Sequence, residues 1–124
     1  MTENQEQIAL IKWAYDRAIY NITPELALLF HIPNERKCTP AQGYFLQKMG
    51  VKSGVPDLFL PVARGRYHGL FIEMKAQKGR LSENQANWLK DLRLQGYAAA
   101  VCYGAREAID IITKYFAQED INDG

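Results

Sequence analysis

No apolar run in this chain approaches the roughly 18 residues that a helix needs to cross a bilayer. Its 48% hydrophobic residues therefore read as the interior of a globular protein. Cysteine is scarce: Cys38 and Cys102 are the only two, too few for a disulfide framework or a zinc motif. Two unpaired thiols are expected, because intracellular proteins rarely keep disulfides. The opening residues, Met1 to Gln7, are polar and lack the basic-then-apolar order of a secretion signal. The expected compartment is the cytoplasm. Internal repeats, low-complexity tracts and interdomain linkers are also missing. A length of 124 residues then implies one domain, large enough to bury a core without staples.

Negative charge is scarce over one stretch. Between Arg36 and Arg80 there are nine basic residues and only two acidic ones, Asp57 and Glu73, a net of +7. The remainder has six basic against twelve acidic residues, a net of −6, so the whole-chain value of +1 conceals a division. Solvated lysines and arginines do collect in loops. A segregation of this size also suits a surface for a polyanion. The basic residues available for phosphate contacts are Arg36, Lys37, Lys48, Lys52, Arg64, Arg66, Lys78 and Arg80. Such contacts position a duplex without reading its sequence, and no element for base-specific readout is recognisable.

Hydrophobic spacing sets out the elements. Ile8, Ile11, Ala14, Tyr15 and Ala18 recur at helical intervals and predict a helix from about Gln5 to Tyr20. Thr23-Pro24-Glu25 starts a second, with Leu26, Leu29 and Phe30 as its apolar side, ended by Ile32-Pro33. Thr39-Pro40 caps a third that runs to about Met49 and stops at Gly50. The period then changes. Val55 to Leu60 and Gly69 to Lys75 read as strands, antiparallel to each other across a glycine-containing turn region. Ser82-Glu83-Asn84-Gln85 is a capping box opening a helix to about Gln95, with Gly96 just beyond. Tyr97 to Tyr103 reads as a buried strand and Ala105 to about Phe116 as a last helix. Together they predict an α/β domain with a small mixed sheet.

The chemistry concentrates where those two strands meet. Side chains alternate along a strand, so Glu73 and Lys75 project together while Ile72 and Met74 face the other way. Antiparallel pairing can bring Asp57, just after Gly54-Val55-Pro56, beside Glu73. Two adjacent carboxylates repel unless a cation lies between them. Carboxylate and carbonyl oxygens suit Mg²⁺ or Mn²⁺, with the Met74 backbone carbonyl as a further candidate ligand. A metal so held can activate water or stabilise charge on a phosphodiester. Lys75 could orient the water and neutralise developing charge. An E-x-K pair on a strand is, by itself, usually a solvated salt bridge. The preceding G-V-P-D turn makes the combination more specific.

In that order the residues resemble the virus-type replication-repair nucleases, the VRR-NUC branch of the PD-(D/E)xK superfamily. Gly54-Val55-Pro56-Asp57-Leu58 is similar to the first motif and Ile72-Glu73-Met74-Lys75 to the second. Leu81 to Gln85, Trp88-Leu89 and Gly96-Tyr97 are similar to the helix and strand that follow. Ile32-Pro33-Asn34 and the approach to Gly54 fit as well, whereas Asn34-Glu35-Arg36 departs from the pattern, since many relatives have glycine after the asparagine. The resemblance extends from about Glu6 to Ile112 and is to the short stand-alone members of phages and bacteria. It implies a restriction-endonuclease-like core and metal-dependent endonucleolytic hydrolysis of DNA in replication or repair. Asp57 and Glu73 would then be metal ligands and Lys75 the catalytic lysine. Gln85 matches the helix glutamine near such sites; it is equally the reciprocal partner of Ser82 in a capping box. Of the first-helix glutamates, Glu6 aligns best with the superfamily's acidic position and Glu3 competes with it. A glutamate at a helix start also complements the helix dipole.

Stand-alone relatives imply a homodimer that cuts branched DNA such as four-way (Holliday) junctions. Two rival readings stay open: a module that binds branched DNA without cutting it, and a nuclease with flap or general duplex preference. His68 reads as an exposed turn residue, His31 as structural, and Trp13 and Trp88 as packing residues.

Overall fold

Helix formation begins at the second residue of the chain. In the computed structural model, which describes residues 1–33 and 38–122, the Thr2 side chain accepts from the Gln5 N–H and the Gln5 side chain accepts from the Thr2 N–H. This capping box opens helix α1 (Glu3–Ile19) two residues before the expected start, because Thr2-x-x-Gln5 fixes the end more strongly than the apolar spacing does. Leu10 and Ala14 are its buried residues.

The expected second α-helix is a short 3-10 helix, Pro24–Leu28, in which only Leu26 is buried. Proline on either side leaves too few residues to offset the cost of nucleating an α-helix. Phe30 is consequently not on a helical face; with His31 it forms β1 (Phe30–His31), opposite Phe59 and Leu58. Helix α2 (Pro40–Lys48) follows the expectation, with a reciprocal Thr39–Gln42 cap. None of its residues is buried.

Strand β2 covers only Leu58–Leu60, shorter than the Val55-to-Leu60 expectation. Gly54 turns with φ of 87°, and Pro56 has no N–H to give a ladder. Strand β3 (Leu70–Lys75) is antiparallel to β2, with Leu58 opposite Ile72. It is parallel to β4 (Ala98–Tyr103), with helix α3 (Glu83–Leu94) as the crossover. Helix α4 (Ala105–Phe116) has the predicted limits. The result is a mixed four-stranded sheet in the order β1-β2-β3-β4.

The alternation of β3 divides the molecule into layers. Leu70, Ile72 and Met74, with Leu58, Leu60, Ala98, Ala100 and Cys102, bury themselves against Leu10 and Ala14 of α1 and Ala108, Ile112 and Tyr115 of α4. On the opposite face Phe59 stacks on Phe71 at 4.2 Å and Tyr97 stands edge-on to both. Glu73 and Lys75 share that second face, and α3 covers part of it. Both cysteines are free; burial pushes the Cys102 thiol up to about 12, which makes it inert. Among the described residues no helix is long and apolar enough to cross a membrane.

Candidate functional site

Asp57 lies one residue before β2, so the ladder that sets Leu58 opposite Ile72 carries it to the side of Glu73. Its Oδ2 accepts the Met74 N–H at 2.8 Å, which substitutes a side chain for the backbone partner the strand has run out of. Its own carbonyl accepts the Ile32 N–H at 2.7 Å and lies 2.9 Å from His31 Nδ1. Asp57 is thus held from both sides, by β1 through its backbone and by β3 through its carboxylate. His31, which the sequence marks only as structural, backs the site directly. No local pattern betrays it, because the contact spans 26 positions.

Glu73 is almost fully buried at 2% exposure. Its Oε2 receives the Gln85 side-chain amide at 3.1 Å and lies 3.7 Å from Lys75 Nζ. Desolvation, followed by the charge of Asp57, raises the Glu73 carboxyl from its ordinary 4.5 to about 8, although Lys75 pulls the other way. A hydrogen bond with Asp57 and the charge of Glu3 add to the rise. One ammonium does not balance this concentration of acid. The chain by itself therefore favours a proton on Glu73 near neutrality.

Gln85 fills both roles open to it. Its Oε1 accepts the Ser82 N–H at 2.9 Å, completing the cap of α3, and its amide nitrogen is thereby directed at Glu73. The cap fixes the orientation of the amide: reversal would put an NH₂ against an N–H and a carbonyl against a carboxylate. Gly54 joins this helix end to Asp57. A Cβ at that position would stand 2.8 Å from the Asn84 backbone, so only glycine allows the turn before Asp57 to rest on the first turn of α3. Trp88 donates to the Ser53 carbonyl at 3.0 Å and secures the same turn. Trp88 is half-buried and lies outside the core cluster, whereas Trp13 packs on the core, as expected, and carries the Arg17 guanidinium on its ring.

The two N-terminal glutamates divide. Glu6 turns its carboxylate toward Gly104 and the Ala105 N–H at the start of α4, a helix whose own N-cap residue has no side chain to offer. Glu3 accepts the Ala76 N–H at 3.3 Å, and its charge reaches Glu73. Among the described residues no three acidic, histidine or cysteine side chains gather into a metal-ligand set, so neither Glu6 nor Glu3 joins Asp57 and Glu73 in one.

The basic residues are not one surface. Arg64 and Arg66 lie in the connection between β2 and β3, at the end of the hairpin opposite Asp57 and Lys75. Arg64 pairs with Glu25, donates to the Ala63 carbonyl and stacks over Phe116; Arg66 pairs with Asp120. His68, exposed in the same connection, faces the Tyr97 ring edge-on. Lys52 borders a groove with Asn84, Asn87 and Trp88 along α3. Lys78 and Arg80 are exposed in the loop that follows Lys75. Lys78 takes a left-handed φ of 72°, and Gly79 N–H closes the turn on the Ala76 carbonyl. Lys48 ends α2 over the Tyr44 ring. Arg36, Lys37 and the Asn34-Glu35-Arg36 departure lie outside the described residues.

The VRR-NUC domain family matches residues 1–106 of the chain. A solved structure titled VRR-NUC domain protein is 31% identical, with a TM-score of 0.79 over 97% of this chain and 92% of that one. No curated protein matches.

Proposed function

Because the chain belongs to the VRR-NUC family, a nuclease family, we propose that it is a divalent-metal-dependent DNA endonuclease that selects branched DNA. One observation carries the catalytic part: a buried carboxylate, Glu73, beside the half-buried Asp57, with the Lys75 ammonium 3.7 Å from Glu73 as the one cation paired with it among the described residues. The donor set fits Mg²⁺ or Mn²⁺, since it is made of oxygens and has less positive charge than its acid requires. Asp57, Glu73 and the Met74 carbonyl would hold the ion. When bound, the ion supplies Lewis-acid activation of water and neutralisation of the phosphodiester. Of the N-terminal glutamates, Glu3 adds its charge to the field at Glu73, while Glu6 serves the start of α4.

The chain's own groups do the rest. Lys75 sets an ammonium where negative charge develops on the phosphate. Gln85 is a positioning residue: it holds one oxygen of Glu73 and would leave the other available to an ion. Lys52, shortly before the Gly54 turn, and Lys78 and Arg80, in the loop after Lys75, are exposed and supply phosphate contacts for DNA. The homodimer and the junction preference rest on the resemblance to stand-alone relatives. A two-fold dimer would present two sites to symmetry-related strands, and the uncovered Tyr44, Phe45 and Met49 of α2 and its C-cap offer apolar surface for it.

Labelled junction, flap, duplex and single-stranded DNA, each with Mn²⁺ or EDTA, test the reading. Junction cleavage with Mn²⁺ that disappears in EDTA and in Lys75→Ala is expected. Equal cutting of all four removes the branched preference and leaves a nuclease; binding with no cutting under any metal identifies a non-cleaving module. A solution mass of one chain would remove the dimer.

A further inference from the structure

Beside Lys75 the sheet ends in a second feature. In the parallel ladder Lys75 is opposite Tyr103 and Glu73 is opposite Val101, so Tyr103 stands on the same face as the acidic pair. From these two strand ends the chain departs in opposite directions: β3 leads to α3 on one face and β4 to α4 on the other. Such a divergence opens a crevice outside the carboxyl ends of the strands, the usual place for a ligand in an open α/β sheet. Here it is a cavity of about 410 Å³ bordered by Glu6, Lys75, Gln77, Tyr103, Gly104 and Glu107.

The lining selects its occupant. The cavity border, which also includes Met1, carries the Lys75 ammonium and the carboxylates of Glu6 and Glu107. One oxygen of each carboxylate accepts a backbone N–H, and the second can accept a hydrogen bond from the amino group of a base. Tyr103 is 42% exposed, and among the described residues its hydroxyl has no hydrogen-bond partner and its ring no aromatic or cationic neighbour. An uncommitted ring at the rim of a polar cavity is a stacking platform. We propose that this crevice receives one unstacked base next to the scissile phosphate, with Tyr103 stacking on it. An intact duplex offers no such base without the cost of extrusion, whereas a branch point offers one at low cost. Tyr103 would then be a specificity residue, and the proposal, which rests on the nuclease reading, gives branch selection a physical basis.

The test measures binding in EDTA, so cleavage is not needed. Branched DNA and intact duplex would carry 2-aminopurine at the branch or at the matching duplex position. Tyr103→Ala is expected to weaken branched-DNA binding about tenfold, as loss of one base–aromatic stack does, with duplex binding within about twofold of wild type. Tyr103→Phe should restore it. Wild type should quench 2-aminopurine at the branch and Tyr103→Ala should not. Tyr103→Leu, which keeps apolar bulk at the strand end, serves if the alanine chain does not fold. Equal losses on both DNAs, no loss on either, or the same quenching by wild type and variant would overturn the proposal. If wild type cuts nothing with Mn²⁺, the nuclease reading fails while the stacking result stands on its own.

Discussion

The two ends of the β2–β3 hairpin are built from the same strands and are opposites in electrostatics. At the connection end every prominent charge or buried polar group has an answer: Arg64 with Glu25, Arg66 with Asp120, and the Tyr115 hydroxyl on the Val62 carbonyl at 2.6 Å. At the open end two carboxylates share one lysine, and Glu73 is buried deeply enough to be raised to about 8. A hairpin can evidently be stabilised at one end and left unbalanced at the other. The unbalanced end is where a cation and a phosphodiester have something to gain.

The largest break in that contrast is expected from Lys75→Ala. Removing the ammonium should lower cleavage of branched DNA by a factor of about 10² to 10³, measured as single-turnover rates with Mn²⁺. Arg64→Ala at the other end should leave the rate within about twofold of wild type, because its guanidinium is committed to Glu25 and Phe116. Comparable losses from both substitutions would dissolve the distinction between the ends.

A second effect concerns protons. Glu73 goes from 4.5 in the unfolded chain to about 8 in the folded one, so between these values the folded state holds the extra proton. Its contribution to stability is therefore complete below about 4.5 and is lost as pH rises toward about 8. In EDTA the melting temperature should fall between pH 5.5 and 8. Glu73→Gln should flatten that part of the profile, since it removes the titrating group. Added Mn²⁺ should raise the melting temperature most at the alkaline side, where the pair is ionised. A wild-type profile parallel to that of Glu73→Gln would mean that the acid pair is not strained as the geometry requires.

How far these ends are legible in sequence depends on how local their causes are. Thr39-Pro40 and Ser82-to-Gln85 are read correctly because a cap is a contact over three positions, and α4 is read to the residue because its apolar spacing is unbroken. Glu73 and Lys75 share a face by strand alternation alone. β1 escapes because two residues carry no period, and only pairing with Leu58 and Phe59 creates it. The +7 segment is dispersed for a related reason: residues near in sequence are sent to opposite ends of a hairpin. His31 and Tyr103 gain their positions from contacts made across the fold, which no spacing within a motif records.

Arg64→Ala has a smaller consequence of its own, now in stability. The Arg64–Glu25 pair is partly exposed, 30% and 39% by side chain, so solvent screens much of its Coulomb energy. With the stacking on Phe116 included, its loss should cost about 1 kcal/mol, read from urea unfolding. The open end should respond differently, since replacing Glu73 by Gln relieves a buried acid and is expected to leave stability in EDTA at pH 8 equal to or above wild type. Opposite signs at the two ends of one hairpin are the outcome that supports the contrast. Destabilisation by both would assign Glu73 a structural role comparable to that of Arg64.

The smallest expected effect separates the basic residues themselves. A lysine or arginine that touches a phosphate releases a counterion, so its removal should reduce the slope of log affinity against log salt by about 1 for duplex DNA. Arg80 and Lys52 are exposed, close in sequence to Lys75 and Asp57, and make no ion pair with a described residue, whereas Arg66 at the far end is occupied by Asp120. Arg80→Ala and Lys52→Ala should each flatten the salt dependence, and Arg66→Ala should not. Equal changes for all three would return the positive charge to a single surface and make the hairpin's two ends electrostatically equivalent toward DNA. A change for Arg66 alone would require the DNA to cross the connection end, some six strand residues or roughly 17 to 20 Å from Lys75, and the path past Lys52 and Arg80 would have to be abandoned.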